Sequence, residues 1–208
     1  MAQLFAIHPT HPQQRLVRRA ADIVRGGGLI AYPTDSCYAL GCERDNAKGV
    51  ERLRRIRDVD ERHHLTLMCR DVSEIARFAM VNDAQFKLLK DVAPGSYTFI
   101  LRARRELSRR VTKKKTIGVR VPGHPVAHAL LGELGQPMIS ATLLLPGAAT
   151  PLADPDEIRT ALEHQLDLVI DAGPCGVEAS TVIDLTGDTP VVLRKGSGSL
   201  APFSVEAV

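Results

Sequence analysis

The most informative part of this sequence reads Tyr32-Pro33-Thr34-Asp35-Ser36-Cys37-Tyr38-Ala39-Leu40-Gly41. An apolar run over residues 29–32 leads into it and stops at Pro33, which predicts a buried strand that ends there. Thr34, Asp35 and Ser36 then supply two hydroxyls and a carboxylate at the carboxyl end of that strand. Open α/β sheets bind their ligands at this edge, so we expect a site beside these residues, with Thr34 and Ser36 facing a substrate.

A second strand that ends in a polar turn follows in Thr116-Ile117-Gly118-Val119-Arg120-Val121-Pro122-Gly123-His124-Pro125. Arg120 lies between two valines, so strand alternation turns its guanidinium to the opposite face, which Thr116 shares. A partly buried arginine needs an anionic partner, and a phosphate or a carboxylate would serve.

Composition places the chain among ordinary globular proteins. Of its 208 residues, 44% are hydrophobic and 25% are charged, which predicts one domain over residues 1–208 with a full core. No apolar stretch approaches the roughly 18 residues of a membrane span, and the amino terminus has no basic, apolar leader pattern. The four cysteines form no C-x-x-C pair. We therefore expect a cytoplasmic protein with reduced thiols and no membrane partner.

Helix and strand patterns alternate along the chain. A first helix is predicted to end at Gly26-Gly27-Gly28, and His11-Pro12, His124-Pro125 and Asp154-Pro155 predict helices that begin at proline. Further helices are predicted near 46–57, 72–79, 83–92, 125–134 and 155–164. Strands are predicted near 29–32, 65–69, 97–102, 116–121, 138–145, 167–171, 181–185 and 190–194, the last two joined as a hairpin. The pattern predicts a single-domain α/β fold with a twisted mixed sheet.

These motifs resemble the YrdC-like family, the threonylcarbamoyl-AMP synthases of tRNA modification. Four further matches follow in the family's order: Pro94-Gly95-Ser96-Tyr97-Thr98, Gln136-Pro137-Met138-Ile139-Ser140, Ser180-Thr181-Val182-Ile183-Asp184 and Val192-Leu193-Arg194-Lys195-Gly196. Three other segments are most similar in sequence to the YciO branch of this family: Arg55-Ile56-Arg57-Asp58, Leu65-Thr66-Leu67-Met68-Cys69 and Leu143-Leu144-Leu145-Pro146-Gly147.

The resemblance implies helices around a wide, basic, concave cleft. It also implies a reaction in which L-threonine, bicarbonate and ATP, with Mg²⁺ on the nucleotide, give threonylcarbamoyl-AMP and pyrophosphate. Such an adenylation needs positioned cations more than a protein nucleophile, because charge develops on phosphoryl oxygens.

The resemblance implies site residues wherever a position of this sequence matches a functional position of the family's motifs. Arg55 and Arg57 stand where the family has a Lys-x-Arg pair that points into the cleft, with a catalytic role. Ser140 and Thr142 stand at the two serines of a Ser-Thr-Ser-Ala-Asn motif, Ser140 toward substrate and Thr142 toward nucleotide and catalysis. The asparagine of that motif is Leu144 here, which can neither donate to a phosphate nor help to hold a metal shell.

The remaining matched positions complete the implied site. Thr116 and Arg194 would contact ATP, Arg120 would contact the threonine carboxylate, and Ser180 would face the substrate. At Cys69 the family often has a histidine near the threonine site. His63 and His64 with Cys69 lack zinc spacing, so no metal site is predicted.

One strongly basic segment stands apart from these motifs. Residues 102–115 carry eight arginines and lysines against Glu106. Such a run is either a solvated face or a surface that binds a polyphosphate or the phosphates of RNA, either tRNA or double-stranded RNA. The alternative function is therefore an RNA-binding protein with a basic cleft and little or no catalysis.

Overall fold

The computed structural model describes residues 1–61, 63–104 and 115–203, and within them one large mixed sheet forms the centre of a single α/β domain. Its strands lie in the order β1-β9-β2-β3-β8-β4-β7-β6-β10-β11, and β5 pairs with the end of β6. The strands are β1 (Gln3–Ala6), β2 (Ile30–Tyr32), β3 (Ala39–Glu43), β4 (Thr66–Met68), β5 (Ala79–Met80), β6 (Tyr97–Ala103), β7 (Thr116–Arg120), β8 (Met138–Thr142), β9 (Leu168–Asp171), β10 (Thr181–Asp184) and β11 (Val191–Arg194).

The sheet contains both parallel and antiparallel pairs, as the sequence predicts. The strands β4 and β7 run parallel, as do β6 and β10, whereas β8 is antiparallel to both β3 and β4. The pair β10 and β11 forms the predicted antiparallel hairpin. Pairing in the sheet therefore makes neighbours of the strands β8, β4, β7, β6 and β10, which come from distant parts of the sequence.

Six helices cover the sheet in the described part of the chain. They are α1 (Gln14–Arg25), α2 (Ala47–Arg57), α3 (Val72–Phe78), α4 (Asp83–Val92), α5 (Pro125–Leu134) and α6 (Pro155–Leu162). The longest has 12 residues, and none of those described combines the length and apolar character needed to cross a bilayer.

Local sequence explains where several helices begin and end. Pro125 and Pro155 are first helical residues, and the Asp154 carboxylate accepts hydrogen bonds from two backbone N–H groups of α6. By contrast, α1 begins at Gln14, so the prediction of a helix starting at Pro12 is wrong by two residues. The glycine run ends α1, as predicted, and the Asn46 side chain, which also caps α2, donates to the Gly27 carbonyl.

The two faces of the sheet carry different layers. On one face, alternate residues such as Leu40, Leu67, Val119 and Ile139 form the larger core. On the other face, a second core that includes Ile30 and residues of α1 and α5 covers part of the sheet. Of the strands β4, β6, β7 and β10, only β4 contributes a described residue to that second core, Met68, and a cavity lies over these strands instead.

Three short strands were not predicted: β1, β3 and β5. The missed strand β3 has the sequence Ala-Leu-Gly-Cys-Glu, which contains no β-branched or aromatic residue and so has weak strand propensity. It is formed by pairing on both sides, with β2 and with β8. The predicted strand 138–145 ends at Thr142 because β3 and β4, its two partners, pair with it no further.

Candidate active site

The candidate site is a cavity of about 600 Å³ on the open face of the sheet. That volume lies within the roughly 300–1,000 Å³ of pockets that bind small ligands. Alternate residues of the central strands make its floor, because their side chains point to one face. These floor residues are Thr66 and Met68 of β4, Thr98 and Ile100 of β6, Thr116, Gly118 and Arg120 of β7, Ser140 and Thr142 of β8, and Val182 and Asp184 of β10.

Arg120 is the most buried charge of the cavity, and its anionic partner is Asp35. The Arg120 Nη2 atom donates to Asp35 Oδ1 at 2.8 Å, and Arg120 Nη1 donates to Ser36 Oγ at 3.0 Å. The two side chains are only 7% and 20% exposed. The sequence predicts an anionic partner for Arg120, and the structure supplies it from within the chain.

Asp35 also holds two other segments beside Arg120. It accepts hydrogen bonds from the Ser96 hydroxyl at 2.8 Å and from the Gly123 N–H at 3.0 Å. Burial acts to raise the pKa of Asp35, but the Arg120 guanidinium, the Ser96 hydroxyl and the Gly123 N–H together hold that pKa below its ordinary value. Asp35 is therefore a charged anchor on which three loops converge.

The hydroxyls of the first motif are largely used inside the protein. Thr34 Oγ1 donates to the Cys37 carbonyl at 2.6 Å and accepts from the Ser36 and Cys37 N–H groups, which closes a tight turn. Ser36 is buried behind the cavity wall and bonds Arg120. Thr34 lines the cavity. The turn thus sets the position of Arg120 as well as facing the cavity.

The Ser140 hydroxyl is likewise used in hydrogen bonds within the protein. Its hydroxyl donates to the Leu40 carbonyl at 2.8 Å and lies 2.8 Å from the Tyr32 hydroxyl. Because a carbonyl can only accept, the proton of Ser140 is committed to Leu40, and Tyr32 donates to Ser140. Ser140 can therefore offer a ligand only a remaining acceptor lone pair.

Arg57 reaches the cavity from the end of α2. Its Nη1 atom donates to the carbonyl of Leu144, another cavity residue, while its Nε is buried without a hydrogen-bond partner. Burial lowers the pKa of Arg57. No carboxylate lies within 4 Å of Arg57 among the described residues. The Arg57 charge can therefore accept an anionic partner that the described residues do not supply.

Arg194, at the end of β11, likewise has no carboxylate within 4 Å among the described residues, although it is more exposed than Arg57. Its Nε and Nη2 atoms both donate to the Ser180 carbonyl, at 3.2 and 2.8 Å. The two segments can approach because residue 196 is glycine: a Cβ there would lie 2.1 Å from the Ala179 carbonyl oxygen. The Ser180 hydroxyl is bonded to Thr98 Oγ1 at 2.8 Å. Arg194 is therefore held at the rim with its charge unpaired by any carboxylate in the described chain.

Thr116 and Thr142 both line the cavity, as the resemblance implies. Sequence reasoning missed two neighbours, Thr66 and His64. His64 Nε2 lies 3.0 Å from Thr116 Oγ1, across 52 positions of sequence. His64 comes from the irregular segment between α2 and β4, which carries no local signal of its direction.

Two sequence expectations about placement are corrected. Arg55 and Arg57 were expected to point into the cleft together, but Arg55 is absent from the cavity lining, is 72% exposed and pairs with Glu51 at 3.1 Å. Two residues apart on a helix are rotated by about 200°, so the pair cannot share a face. Cys69 is buried on the opposite face of the sheet, and Met68 faces the cavity instead.

The lining combines this basic chemistry with a few other groups. Cys37 faces the cavity, and burial raises the pKa of its thiol. Glu178 and Asp184 lie on the lining, and Val177 and Leu193 form an apolar part of the wall. In the described part of the chain, no three histidine, cysteine, aspartate or glutamate residues group so as to hold a metal ion. The arrangement suits an elongated anionic ligand with an apolar portion.

Comparisons with known proteins agree with this geometry. The family model described as telomere recombination, which groups the Sua5, YciO and YrdC proteins, matches residues 22–196. The chain is 52% identical to the uncharacterized protein YciO of Escherichia coli (strain K12), over 98% of this chain and 100% of that one. The crystal structure of E. coli YciO matches with a TM-score of 0.94 at 51% identity, covering 98% of this chain and 100% of that chain.

More distant relatives carry a named activity. The chain is 33% identical to the threonylcarbamoyl-AMP synthase of Halorhodospira halophila, over 80% of this chain and 88% of that protein. The crystal structure of P. abyssi Sua5 complexed with L-threonine matches with a TM-score of 0.85 at 25% identity, covering 93% of this chain and 57% of that chain. Since the family model spans most of the sequence and the fold agrees throughout, this chain belongs to the Sua5/YciO/YrdC family.

Proposed function

We propose that the cavity binds ATP and L-threonine and joins them with bicarbonate to form threonylcarbamoyl-AMP and pyrophosphate. The observation that carries this proposal is the pair Arg57 and Arg194, two guanidiniums on one cavity whose partners in the described part of the chain are all backbone carbonyls. Relatives named threonylcarbamoyl-AMP synthase, and a related structure complexed with L-threonine, support the same function.

In this proposal Arg57 and Arg194 hold the phosphates. Burial disfavours the charge of both guanidiniums and lowers both pKa values, and the nearby Arg194 charge lowers the pKa of Arg57 further. A polyphosphate between them would relieve both costs, because guanidinium and phosphate form strong charge-assisted hydrogen bonds. Thr116 and Thr142 would add hydroxyl donors to the nucleotide.

The amino acid would lie nearer to Arg120, beside Thr34 and Ser180. Asp35 neutralises most of the Arg120 charge, so Arg120 would serve a substrate carboxylate as a rigid, oriented donor more than as a net charge. Ser36 would act behind this surface by fixing Arg120, and Ser140, on the cavity floor, would act by fixing Tyr32.

The chemistry follows from these positions. Carbamate oxygen attacks the α-phosphorus while pyrophosphate leaves, so negative charge grows on the phosphoryl oxygens, where Arg57 and Arg194 would stabilise it. Mg²⁺ would arrive with the nucleotide, held by phosphate oxygens and water, as this ion usually is. Arg57 would take the catalytic role that the resemblance assigns to the Arg55 and Arg57 pair.

The experiment is direct. Purified protein is incubated with ATP, Mg²⁺, bicarbonate and each amino acid in turn, and the products are analysed by mass and by pyrophosphate release. We expect an acyl-adenylate whose formation requires threonine and bicarbonate together. Pyrophosphate release without either one, or an adduct with a different amino acid alone, would contradict the assignment.

The product of this reaction would serve tRNA threonylcarbamoyladenosine modification. The alternative, an RNA-binding protein without turnover, depends on the basic segment, of which residues 105–114 lie outside the described structure. That hypothesis stays a prediction: it requires RNA retention that weakens steeply with salt, in the absence of any acyl-adenylate.

A further inference from the structure

The proposed reaction must dispose of a proton before adenylation begins. The amino group of a free amino acid is mostly an ammonium at neutral pH and has no lone pair with which to attack bicarbonate. A base must first convert R–NH3⁺ into R–NH2. The amine then adds to HCO3⁻, the new N–C bond forms as a C–O bond breaks, and R–NH–COO⁻ and water result.

Few side chains of the cavity can accept that proton near pH 7. The charged and titratable lining residues are Cys37, Arg57, His63, His64, Arg120, Glu178, Asp184 and Arg194. Guanidinium groups stay protonated in proteins, and carboxylates are in general too weakly basic to hold a proton at neutral pH. Burial raises the pKa of the Cys37 thiol, which therefore keeps its own proton. Histidine alone among these types exchanges a proton readily in this range.

The two histidines differ in their placement. His63 is exposed, whereas His64 is partly buried and its Nε2 lies 3.0 Å from Thr116 Oγ1 on the cavity floor. That contact fixes the imidazole against β7, on the strand face that Thr116 shares with Arg120. Thr116 is also the residue assigned to the nucleotide in the proposed function.

We propose that His64 is the general base that takes the ammonium proton of the amino acid, either directly or through one water. This inference rests on the proposed function. In the product the carbamate nitrogen and the α-phosphorus are only three bonds apart. His64, which is held against the nucleotide contact Thr116, is therefore within reach of that nitrogen. The imidazolium then returns its proton to solvent before the next turnover.

The test compares the pH dependence of wild type and His64→Gln. Glutamine can still bond Thr116 but cannot take up a proton. We expect threonine-dependent pyrophosphate release in His64→Gln to be about 10²-fold slower at pH 7, and within about threefold of wild type at pH 9.5, where the substrate supplies its own free amine. The bicarbonate concentration is matched at each pH, and ATP affinity and thermal melting are measured for both proteins.

The controls separate the outcomes. His128→Gln, an exposed histidine on α5 outside the cavity, should leave the profile unchanged. An equal rate deficit at every pH would make His64 a structural residue and overturn the proposal, as would finding the pH signature in His63→Gln instead. If wild type forms no acyl-adenylate at any pH, the proposed function itself fails, and this inference fails with it.

Discussion

Arg120 differs from Arg57 and Arg194 in how its charge is balanced, although all three line one cavity. Arg120 has a buried carboxylate at 2.8 Å, supplied by Asp35. Among the described residues, Arg57 and Arg194 have only backbone carbonyls as partners. The Nε atoms of Arg57 and Arg120 are both buried without a partner, so the difference lies in the carboxylate. We infer that Arg120 chiefly stabilises the fold, whereas Arg57 and Arg194 are available to bind an anionic ligand. Substitutions should therefore separate stability from ligand affinity.

The largest effect should come from breaking the balanced pair. Asp35→Ala would leave the guanidinium of Arg120, 7% exposed, without its carboxylate. Removing one partner of a buried ion pair typically costs about 3–5 kcal/mol, and we expect a loss of that size in the free energy of unfolding, measured with urea at pH 7.

Two controls sharpen this prediction. Arg55→Ala removes an exposed pair, with side chains 72% and 71% exposed, and should change stability by less than about 1 kcal/mol. The double variant Asp35→Ala with Arg120→Met should be less destabilised than the sum of its single variants, because no unpaired charge remains. Additive losses would show that Asp35 and Arg120 are not energetically coupled.

The second effect concerns the unbalanced arginines. Arg57→Ala or Arg194→Ala should weaken ATP binding by about tenfold or more, since a hydrogen bond to a charged group contributes roughly 1.5–3 kcal/mol. Stability should change little, because neither loss strands a buried carboxylate. Calorimetric titration with ATP and Mg²⁺ measures the affinity, with Arg55→Ala as the matched arginine on the outer face of α2. An unchanged affinity in Arg194→Ala would exclude Arg194 from the nucleotide contact.

A third and smaller effect tests the departure at Leu144. Its carbonyl already holds Arg57, so Leu144→Asn adds a side-chain amide beside that arginine without moving the backbone contact. Restoring a donor that acts only in the transition state should raise turnover more than ground-state affinity, and we expect a gain of about tenfold in threonine-dependent pyrophosphate release. Arg55→Lys, alone or added to Leu144→Asn, should contribute nothing further, because Arg55 lies outside the cavity. No gain, with fold and ATP affinity intact, would mean that this cavity serves another substrate.

The comparison also shows what the sequence could reveal. Strand alternation correctly placed Thr116 and Arg120 on one face, and motif order correctly indicated the fold and the family. The partner of Arg120, Asp35, lies in the first motif, but nothing in the local sequence indicates that a turn at residue 35 meets a strand end at residue 120. The contact between His64 and Thr116 was equally hidden, since it joins an irregular segment to a strand.

The outward position of Arg55, by contrast, follows from the sequence. Helical geometry alone excludes a shared face for residues two positions apart, whereas the family's Lys-x-Arg pattern treats the two positions as a pair. The same reasoning applies to Cys69, which directly follows β4. Side chains alternate between the two faces of a sheet, so Met68 faces the cavity and Cys69 faces the larger core. The position of a residue in a helix or strand therefore predicts whether its side chain faces the site more reliably than a motif match does.

The smallest expected effect is the pH dependence of the balanced pair. The pKa of Asp35 lies below its ordinary value in the folded protein, so in acid the unfolded chain binds more protons at this residue than the native chain does. Stability from Asp35 is therefore fully present above the unfolded pKa, about 3.9, and is lost as pH falls through the lower folded pKa. Unfolding free energies measured from pH 7 down to pH 3 should fall more steeply for wild type than for Asp35→Asn, which cannot titrate. The two curves should run parallel above about pH 5, where this carboxylate is ionised in both states. Parallel curves throughout the acid range would instead mean that Arg120 does not favour the ionised form of Asp35, and the contrast between the two kinds of arginine would lose its electrostatic basis.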